Sequence, residues 1–186
     1  MNVYDFDRTV YNGDSTVDFF LFVIRRKPYL IVLVLVQVWG MALYLIGVYS
    51  KERMKENFFV FVRFIPVQEM VLCFWDKNRK KIKSWYIRQK QDSDVIISAS
   101  PEFLLEPLVC GYLGINLIAS RIDQNTGKFI GKNCHGEEKV TRLYTLYPAA
   151  VVDNFYSDSY ADTPLARVAK KAFLVHHDSI TTWRKT

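Results

Sequence analysis

The longest apolar run in the chain, YLIVLVLVQVWGMALYLIGVY at residues 29–49, strongly limits how this sequence can fold. As a helix, this run would extend about 32 Å, which is enough for a bilayer core of about 30 Å. Basic residues flank it on both sides, RRK before it and KERMK after it. By hydropathy it is a candidate transmembrane segment, and in a soluble protein it would have to be buried in a helical bundle or a dimer contact.

The positive charge of the chain is concentrated around that run. The net charge is +6, but residues 15–92 contain 14 Lys and Arg against 6 Asp and Glu, and the remaining residues contain 11 against 13. Half of the 186 residues are apolar, so the chain can bury one real core and a modest insert. We expect no secretory signal, because the N-terminus opens with charged residues, and the expected starting compartment is the cytoplasm.

The three cysteines have no metal-ligand spacing. Cys73, Cys110 and Cys134 are far apart and odd in number, with no CxxC pair among them. The sequence therefore predicts reduced core thiols in a cytosolic protein, with neither a disulfide nor a cysteine-bound metal.

Outside the basic region, short apolar runs alternate with helical stretches. Runs suited to buried parallel strands are predicted at 2–6, 94–99, 149–155 and 172–175, with helices at 101–110 and 136–147. The stretch INLIASRIDQNTGKFIGK predicts a hairpin around residues 123–127. We therefore predict an α/β fold with a parallel sheet, formed by residues 1–14 and 91–186, and a helical insert at residues 15–90 after the first strand.

Polar side chains follow the predicted strands where those strands end. These residues are Asp5, Asp7, Ser98, Ser100, Asp158 and Asp162, with Lys139 in a helix that follows GEE. Ligands of open parallel sheets bind at the carboxyl ends of the strands. Asp5, Asp158 and one main-chain carbonyl could hold Mg²⁺ and leave room for a phosphate oxygen, which indicates a phosphoryl-transfer site.

Taken singly, each of these residues has a more ordinary explanation. An Asp-x-Asp pair after a strand is more often a turn or a helix cap, and a lone lysine is usually a solvated surface residue. Asp158 and Asp162 could simply cap the following helix. The combination favours a catalytic site, because the order of the residues, their types and their places at strand ends all match one mechanism.

Four motifs in order resemble those of the haloacid dehalogenase superfamily of phosphohydrolases. DFDRT resembles its first motif, DxDxT; IISAS resembles the second; the Lys of GEEKV resembles the third; and YSDSYAD resembles the fourth. The resemblance implies a Rossmann-like core with helices on both faces of the sheet. It also makes the insert similar to the helical C1-type caps of the phosphoserine-phosphatase-like branch, subfamily IB.

The resemblance also implies a role for each motif residue. Asp5 would be the nucleophile that becomes an aspartyl phosphate, and Asp7 the acid that protonates the leaving alcohol and then activates water. Ser98 and Lys139 would hold the phosphate, together with the substrate-binding positions Thr9 and Ala99. Magnesium would be held at a site formed by Asp5, Asp7 through its carbonyl, Asp158 and Asp162.

Two positions depart from the family pattern. Arg8 and Ser157 stand where the family usually has glycine. Arg8 would either restrict the loop beside the nucleophile or place a cation near an anionic substrate, and both interpretations stay open. Neither departure removes a reacting group.

The insert is predicted to determine the substrate. Its basic stretch at 76–90 mixes aromatic rings and cations, as an interfacial helix on an anionic membrane does. The alternative is a soluble cap helix with a solvated basic face. A single transmembrane span is excluded, because Asp5 precedes the apolar run and Ser98 follows it, yet both must reach one compartment. FFVFVRFIP is too short to span a bilayer, which leaves a re-entrant hairpin broken near Gln37 and Gly40, or a monotopic helix.

Longer stretches resemble one bacterial group of membrane phosphatases. RRKPYLIVLVLV, INLIASRIDQNTGKFIGKNCHGEEKV and YSDSYADTPL are together similar to the C-type phosphatidylglycerophosphatases. The resemblance implies a lipid phosphate, phosphatidylglycerol phosphate, as substrate, at the cytoplasmic face of the inner membrane.

Two other functions stay open at this point. The chain could be a soluble phosphatase for a small monoester such as phosphoserine, or an inactive membrane-binding protein that merely holds magnesium. Nucleic-acid binding is not expected, because the apolar run would have no role on a duplex. His135 could touch the substrate headgroup or lie in solvent, and His176 and His177 are predicted to point to opposite faces of a strand.

Overall fold

The computed structural model describes residues 1–184, and for residues 51 and 52 it describes the main chain alone. One sheet of six strands forms its centre, in the order β3-β2-β1-β4-β5-β6. The strands are β1 (Asn2–Tyr4), β2 (Val95–Pro101), β3 (Asn116–Ser120), β4 (Asn154–Ser157), β5 (Lys171–His176) and β6 (Ser179–Thr182). The first five pair in parallel, and β6 pairs antiparallel to β5. The predicted α/β fold is confirmed.

Helices cover both faces of this sheet. The first face is covered by the helices of the insert and by α6 (Glu102–Glu106), which continues into a wide turn at Pro107–Tyr112. The second face is covered by α7 (Glu137–Leu146) and α8 (Thr163–Val168). Because successive strand residues point to opposite faces, Tyr4 belongs to one buried cluster and its neighbour Val3 to the other.

The insert is helical throughout. After the N-cap Asp14 it contains α1 (Ser15–Arg26), α2 (Leu33–Leu45), α3 (Lys51–Phe58), α4 (Val67–Asn78) and α5 (Ser84–Gln89), joined by short 3₁₀ turns. Aromatic side chains of α1 and α4, among them Phe19 and Phe74, join the buried cluster that contains Tyr4. The insert therefore packs directly onto the sheet through one continuous apolar cluster, and its status as a separate domain stays a prediction.

Most of the apolar run is helical and exposed: a 3₁₀ turn at Pro28–Val32 leads directly into α2, and residues 46–49 form a turn. α2 continues through Gln37 and Gly40, so the predicted break there is wrong. Gly40 is buried against Asn57 of α3, and the Gln37 amide donates to the Phe58 carbonyl at 3.2 Å. These contacts pair α2 with α3 as a helical hairpin. Gly40 is the only buried residue of α2.

The basic stretch at 76–90 also differs from the single interfacial helix predicted for it. It is divided between the end of α4, a 3₁₀ turn at Arg79–Lys81 and the short α5. Lys83 is buried and donates to two main-chain carbonyls, and Lys81 lies 2.8 Å from Asp18. Lys81 and Lys83 therefore bind other groups of the protein, while Lys77 and Lys80 are exposed.

Several local predictions are corrected by the sheet. The strand predicted at 149–155 lies at β4, and residues 116–120 form the parallel strand β3. The predicted hairpin around residues 123–127 follows β3 as a short antiparallel pairing, in which Ile122 pairs with Phe129 and the Asp123 amide donates to the Lys128 carbonyl at 2.9 Å. A parallel neighbour supplies more pairing than the hairpin. His177 has a positive φ of 53°, and the centroids of the His176 and His177 rings are 4.6 Å apart. The prediction that these two side chains point to opposite faces is therefore wrong.

The cysteines remain free, but their predicted place in the core holds only in part. Cys134 is buried, Cys73 is half-buried and Cys110 is exposed. Cys110 lies in the wide turn after α6, whose buried side is formed by Leu108 and Val109.

The loop between β3 and α7 contacts the insert through a hydrogen bond, an aromatic pair and a close approach of the two main chains. The Phe129 amide donates to Glu56 at 3.2 Å, and the rings of Phe59 and Phe129 pack edge to face. Gly127 has φ of 73°, and a Cβ there would lie 2.7 Å from the Phe59 carbonyl oxygen. This close approach of two main chains admits glycine alone.

We expect Gly127→Ala to lower the free energy of unfolding by about 3 kcal/mol, since it adds a backbone clash to the cost of a left-handed alanine. Gly131→Ala is the matched control, because Gly131 has φ of 84° and open space around its Cβ position. It should lower the free energy of unfolding by only about 1 kcal/mol. Urea denaturation measures both, and equal losses would contradict the contact between the loop and the insert.

Candidate active site

The site lies where β1, β2 and β4 end. β1 is flanked by β2 and β4, and the Asp5 amide, just after β1, donates to the Tyr156 carbonyl of β4 at 2.8 Å. Asp158 follows the end of β4 directly, and Ser98 lies near the end of β2. Parallel pairing therefore brings residues that are far apart in sequence to one edge of the sheet.

Lys139 lies between two of the predicted site carboxylates. It is in the first turn of α7, after the N-cap Gly136, and its Nζ donates to Asp5 and to Asp162 at 2.7 Å each. The Ser157 hydroxyl donates to the same Asp162 oxygen at 2.8 Å. Lys139, Ser157 and Asp162 are all buried, so this bridge is shielded from water.

Burial and the neighbouring charges have opposite effects on the pKa values of Lys139 and Asp5. Burial alone would lower the pKa of Lys139, but Asp5 and Asp162 raise it above its ordinary value and keep the lysine charged. Burial raises the pKa of Asp5, an effect that Lys139 opposes and that Asp162 reinforces. A single buried cation thus offsets only part of the charge of two buried carboxylates, and the pKa of Asp5 stays above its ordinary value.

Asp7 occupies a separate environment. One of its carboxylate oxygens accepts from the Ser15 amide at 2.6 Å, and the other accepts from the Ser100 hydroxyl at 2.5 Å. Burial, with the nearby charge of Asp14, raises the pKa of Asp7 to about 6. The two aspartates of the motif are therefore held differently: Asp5 by a cation and Asp7 by neutral donors.

Ser100 is a site residue to which the sequence analysis gave no role. It lies two residues after Ser98 at the end of β2, and its hydroxyl also lies 2.9 Å from that of Thr16 in α1. Ser98 is buried and accepts a hydrogen bond from the Ser100 amide at 3.0 Å. The strand-end position of Ser100 was visible in the sequence, but the turn that brings Ser15 to Asp7 was not.

Thr9, Ala99 and His135 were predicted to lie at or near the substrate. Thr9 is fully buried, and its hydroxyl has no hydrogen-bond partner among residues 1–184. Ala99 is half-buried between the two serines of β2, and His135 is half-buried in the loop before α7. Their predicted contacts with substrate stay predictions.

Lys83 of the insert also reaches this region, which no sequence pattern indicated. Its Nζ donates to the Arg8 carbonyl at 2.6 Å and to the His177 carbonyl at 2.5 Å. Arg8 itself has a positive φ of 59°. The buried lysine thereby joins the insert, the loop beside Asp7 and the turn between β5 and β6.

The donor set fits a hard divalent cation. Asp5 and Asp158 lie at adjacent strand ends, and burial raises the pKa of Asp158, as it does that of Asp5. Two partly or fully buried carboxylates at neighbouring strand ends supply the hard oxygen ligands that such a cation prefers. The side chains of Asp7 and Asp162 are engaged by the donors named above. Within residues 1–184 no three Asp, Glu, His or Cys side chains form a metal cluster alone, so main-chain oxygen would have to contribute.

The raised pKa of Asp7 predicts a pH dependence of stability. Its ordinary value is 3.8, so the folded protein binds this proton more tightly than the unfolded chain does. The resulting stabilisation is complete below about pH 4 and is lost as the pH rises through about 6. Asp7→Asn cannot titrate there. Without divalent metal, we expect the stability of the wild type relative to Asp7→Asn to fall by about 1.4 kcal/mol between pH 5 and 7.5.

Urea denaturation across this pH range measures that difference. A difference that stays constant or grows with pH would contradict the burial of Asp7 as the cause. Asp92→Asn, at an exposed position, is the control and should track the wild type throughout.

Similar solved structures share the fold. A protein of unknown function from Bordetella pertussis Tohama I has a TM-score of 0.71 at 19% identity, covering 92% of this chain and 87% of that one. A phosphoserine phosphohydrolase-like protein from Francisella tularensis has a TM-score of 0.60 at 18% identity, covering 92% and 86%. A substrate-bound phosphoserine phosphatase has a TM-score of 0.57 at 13% identity, covering 91% and 82%.

Sequence comparison gives one curated relative and one family. A histidinol-phosphatase from Neisseria meningitidis is 28% identical over 144 residues, which cover 70% of this chain and 62% of that protein. The sequence pattern of the haloacid dehalogenase-like hydrolases matches residues 3–167 and so spans all four motifs. The chain belongs to the haloacid dehalogenase-like hydrolase family.

Proposed function

We propose that this protein is a magnesium-dependent phosphomonoester hydrolase that works through an aspartyl phosphate on Asp5. The observation that carries the proposal is the Lys139 ammonium held between Asp5 and Asp162, beside an Asp7 held by neutral donors. Nucleophilic attack on a phosphate dianion needs a nearby cation and a separate proton donor, and this geometry supplies both.

Each residue has a step in this chemistry. A carboxylate oxygen of Asp5 forms a bond to phosphorus while the bond to the leaving alcohol breaks. Asp7 gives its proton to that alcohol and later takes one from the water that hydrolyses the aspartyl phosphate. A pKa near 6 suits a group that must be an acid in one step and a base in the next near neutral pH. Lys139 offsets the negative charge of Asp5 and phosphate together.

Magnesium would be held by the carboxylates of Asp5 and Asp158 and by the Asp7 carbonyl, with Asp162 in support through Lys139. When bound, it would offset the charge of the phosphate oxygens and orient them toward Asp5. The Ser98 hydroxyl of β2 would donate to phosphate, and the unpartnered hydroxyl of Thr9, two residues after Asp7, would be a second donor.

The exposed surface of α2 supports a lipid phosphate, phosphatidylglycerol phosphate, as the substrate. Residues Pro28–Leu45 are long and apolar enough to span a membrane by length and composition, and only 11% of them are buried. Leu35 and Leu45 are more than 70% exposed and Trp39 is 64% exposed. A helix of this composition that is left uncovered favours contact with lipid, as do the basic residues at both of its ends.

Monotopic attachment fits the chain path. Asp5 precedes α2 and Ser98 follows it, yet both lie at one edge of the sheet, so a single crossing is excluded. The two helical segments Arg53–Phe64 and Val67–Lys81, which meet at a bend of 100°, are together also long and apolar enough to form a broken membrane span. However, Phe59, Phe61 and Val62 within it are buried in the core and unavailable to lipid. We propose that the protein lies at the cytoplasmic face of the inner membrane, with α2 in the headgroup region.

A soluble phosphatase for a small monoester is the second candidate. The structural similarity to phosphoserine phosphatase and the relative named histidinol-phosphatase favour it, because both names describe small polar substrates. In that case α2 would be covered by a second protein surface.

Asp5→Asn tests the chemistry. The amide keeps the shape of the side chain but is a poor nucleophile, so we expect phosphate release with magnesium to fall at least about a thousandfold. Circular dichroism should show a folded protein. Asp92→Asn, which removes the same charge at an exposed position, should keep full activity. Hydrolysis retained in Asp5→Asn would exclude the aspartyl phosphate.

A double variant tests the membrane contact. Leu35→Glu with Trp39→Glu should lower binding to phosphatidylglycerol vesicles at least about tenfold in a sedimentation assay, because two apolar side chains lose their burial in lipid. Leu146→Glu with Val151→Glu changes two similarly exposed apolar residues next to α7 and serves as the control. Equal binding by both double variants would refute attachment through α2.

A further inference from the structure

Arg8 has a main-chain conformation that is unfavourable for a residue with a side chain. Its φ of 59° lies in the left-handed region, where glycine carries no steric penalty. The conformation is held from both sides, because the Arg8 amide donates to the Gly13 carbonyl at 2.8 Å and Lys83 donates to the Arg8 carbonyl. A strained position beside a reacting group is a reason to ask what its side chain does.

The Arg8 guanidinium lies at the mouth of the site and is not locked there. Its nitrogens are 3.7 Å from Asp14 and 3.9 Å from Asp158, distances too long for hydrogen bonds. The side chain is 67% exposed, whereas that of Lys139 is 3% exposed. One cation of the site is thus buried against the nucleophile, and the other faces outward with donors to spare.

Arg8 and Asp5 lie near enough to each other to contact two anions of one substrate. Asp158 follows the strand next to the one that Asp5 follows, and neighbouring strands are about 4.8 Å apart. Arg8 follows Asp5 by three residues, so their main chains are at most about 11 Å apart, and the Arg8 guanidinium is in contact range of Asp158. Two phosphates joined through three carbons are roughly 7 Å apart.

We propose that Arg8 binds a second phosphate of the substrate, a phosphodiester three carbons away from the monoester that reacts. Guanidinium pairs with phosphate oxygens through two parallel N–H donors, which suits a group that must be recognised but not cleaved. The inference deepens the proposed function and rests on it. It makes Arg8 a determinant of substrate choice that acts on the headgroup, apart from the acyl chains.

A purely structural role for Arg8 would give a different result. If Arg8 only balanced the charges of Asp14 and Asp158, its removal would affect every substrate alike. If Arg8 binds a second anion of the substrate, its removal affects only substrates that carry a second anion.

Two soluble substrates separate these roles without a membrane. One is glycerol 3-phosphate, and the other is glycerophosphoglycerol phosphate, which carries the same monoester on glycerol and a phosphodiester at the far carbon. For the wild type with magnesium we expect the second substrate to have the lower KM, by at least about tenfold. Arg8→Gln should remove that preference through KM, with kcat for both substrates changed less than about threefold.

Two further variants complete the test. Arg8→Lys should recover part of the preference, because it restores the charge without the paired donors. Arg88→Gln removes an exposed arginine of α5 and should leave both substrates unchanged. Equal losses on both substrates in Arg8→Gln, or no loss on either, would overturn the inference.

The outcome also separates this inference from the proposed function. Hydrolysis of both substrates by the wild type without preference overturns the role of Arg8 and leaves the phosphatase chemistry standing. Hydrolysis of neither overturns both. An Arg8-dependent preference for glycerophosphoglycerol phosphate, combined with no turnover of phosphatidylglycerol phosphate in micelles, supports the role of Arg8 and excludes the lipid as the substrate.

Discussion

The arrangement of the site depends on one buried lysine. Lys139 donates to Asp5 and Asp162 at 2.7 Å each, and it ties α7 to the ends of β1 and β4. Without that cation, two carboxylates would share an apolar interior, which is strongly unfavourable. The same bridge that stabilises the meeting of these elements favours the charged form of Asp5, against the burial that raises its pKa.

The second constraint comes from α2, a helix with almost no polar surface and almost no cover. Its pairing with α3 buries Gly40 and satisfies Gln37, so the hairpin is defined by contacts within the protein, and the rest of α2 faces outward. The insert also reaches the reacting residues, since Lys83 holds the Arg8 main chain and Thr16 contacts Ser100. The exposed helix α2 and the loop that carries Asp7 and Arg8 therefore belong to one packed unit.

The sequence predicted the features that follow from the periodicity of apolar residues and from the order of the motifs along the chain. Short apolar runs that end in carboxylates or serines predicted the parallel sheet and the edge where Asp5, Ser98 and Asp158 lie. It did not predict what depends on distant contacts. The sequence predicted the hairpin around residues 123–127 but not the parallel pairing of β3 with β2, because that pairing joins two runs separated by a helix. Lys83 belonged to the basic stretch predicted to face a membrane or solvent, because its two carbonyl acceptors come from the distant residues 8 and 177.

The most direct test of the account measures phosphate release with magnesium from two substrates in parallel, phosphatidylglycerol phosphate in mixed micelles and phosphoserine in buffer. We predict a kcat/KM for the lipid at least about a hundredfold higher, which is about 2.7 kcal/mol of transition-state discrimination. Equal values, or a preference for phosphoserine, would contradict a lipid substrate and make α2 a contact surface for another protein.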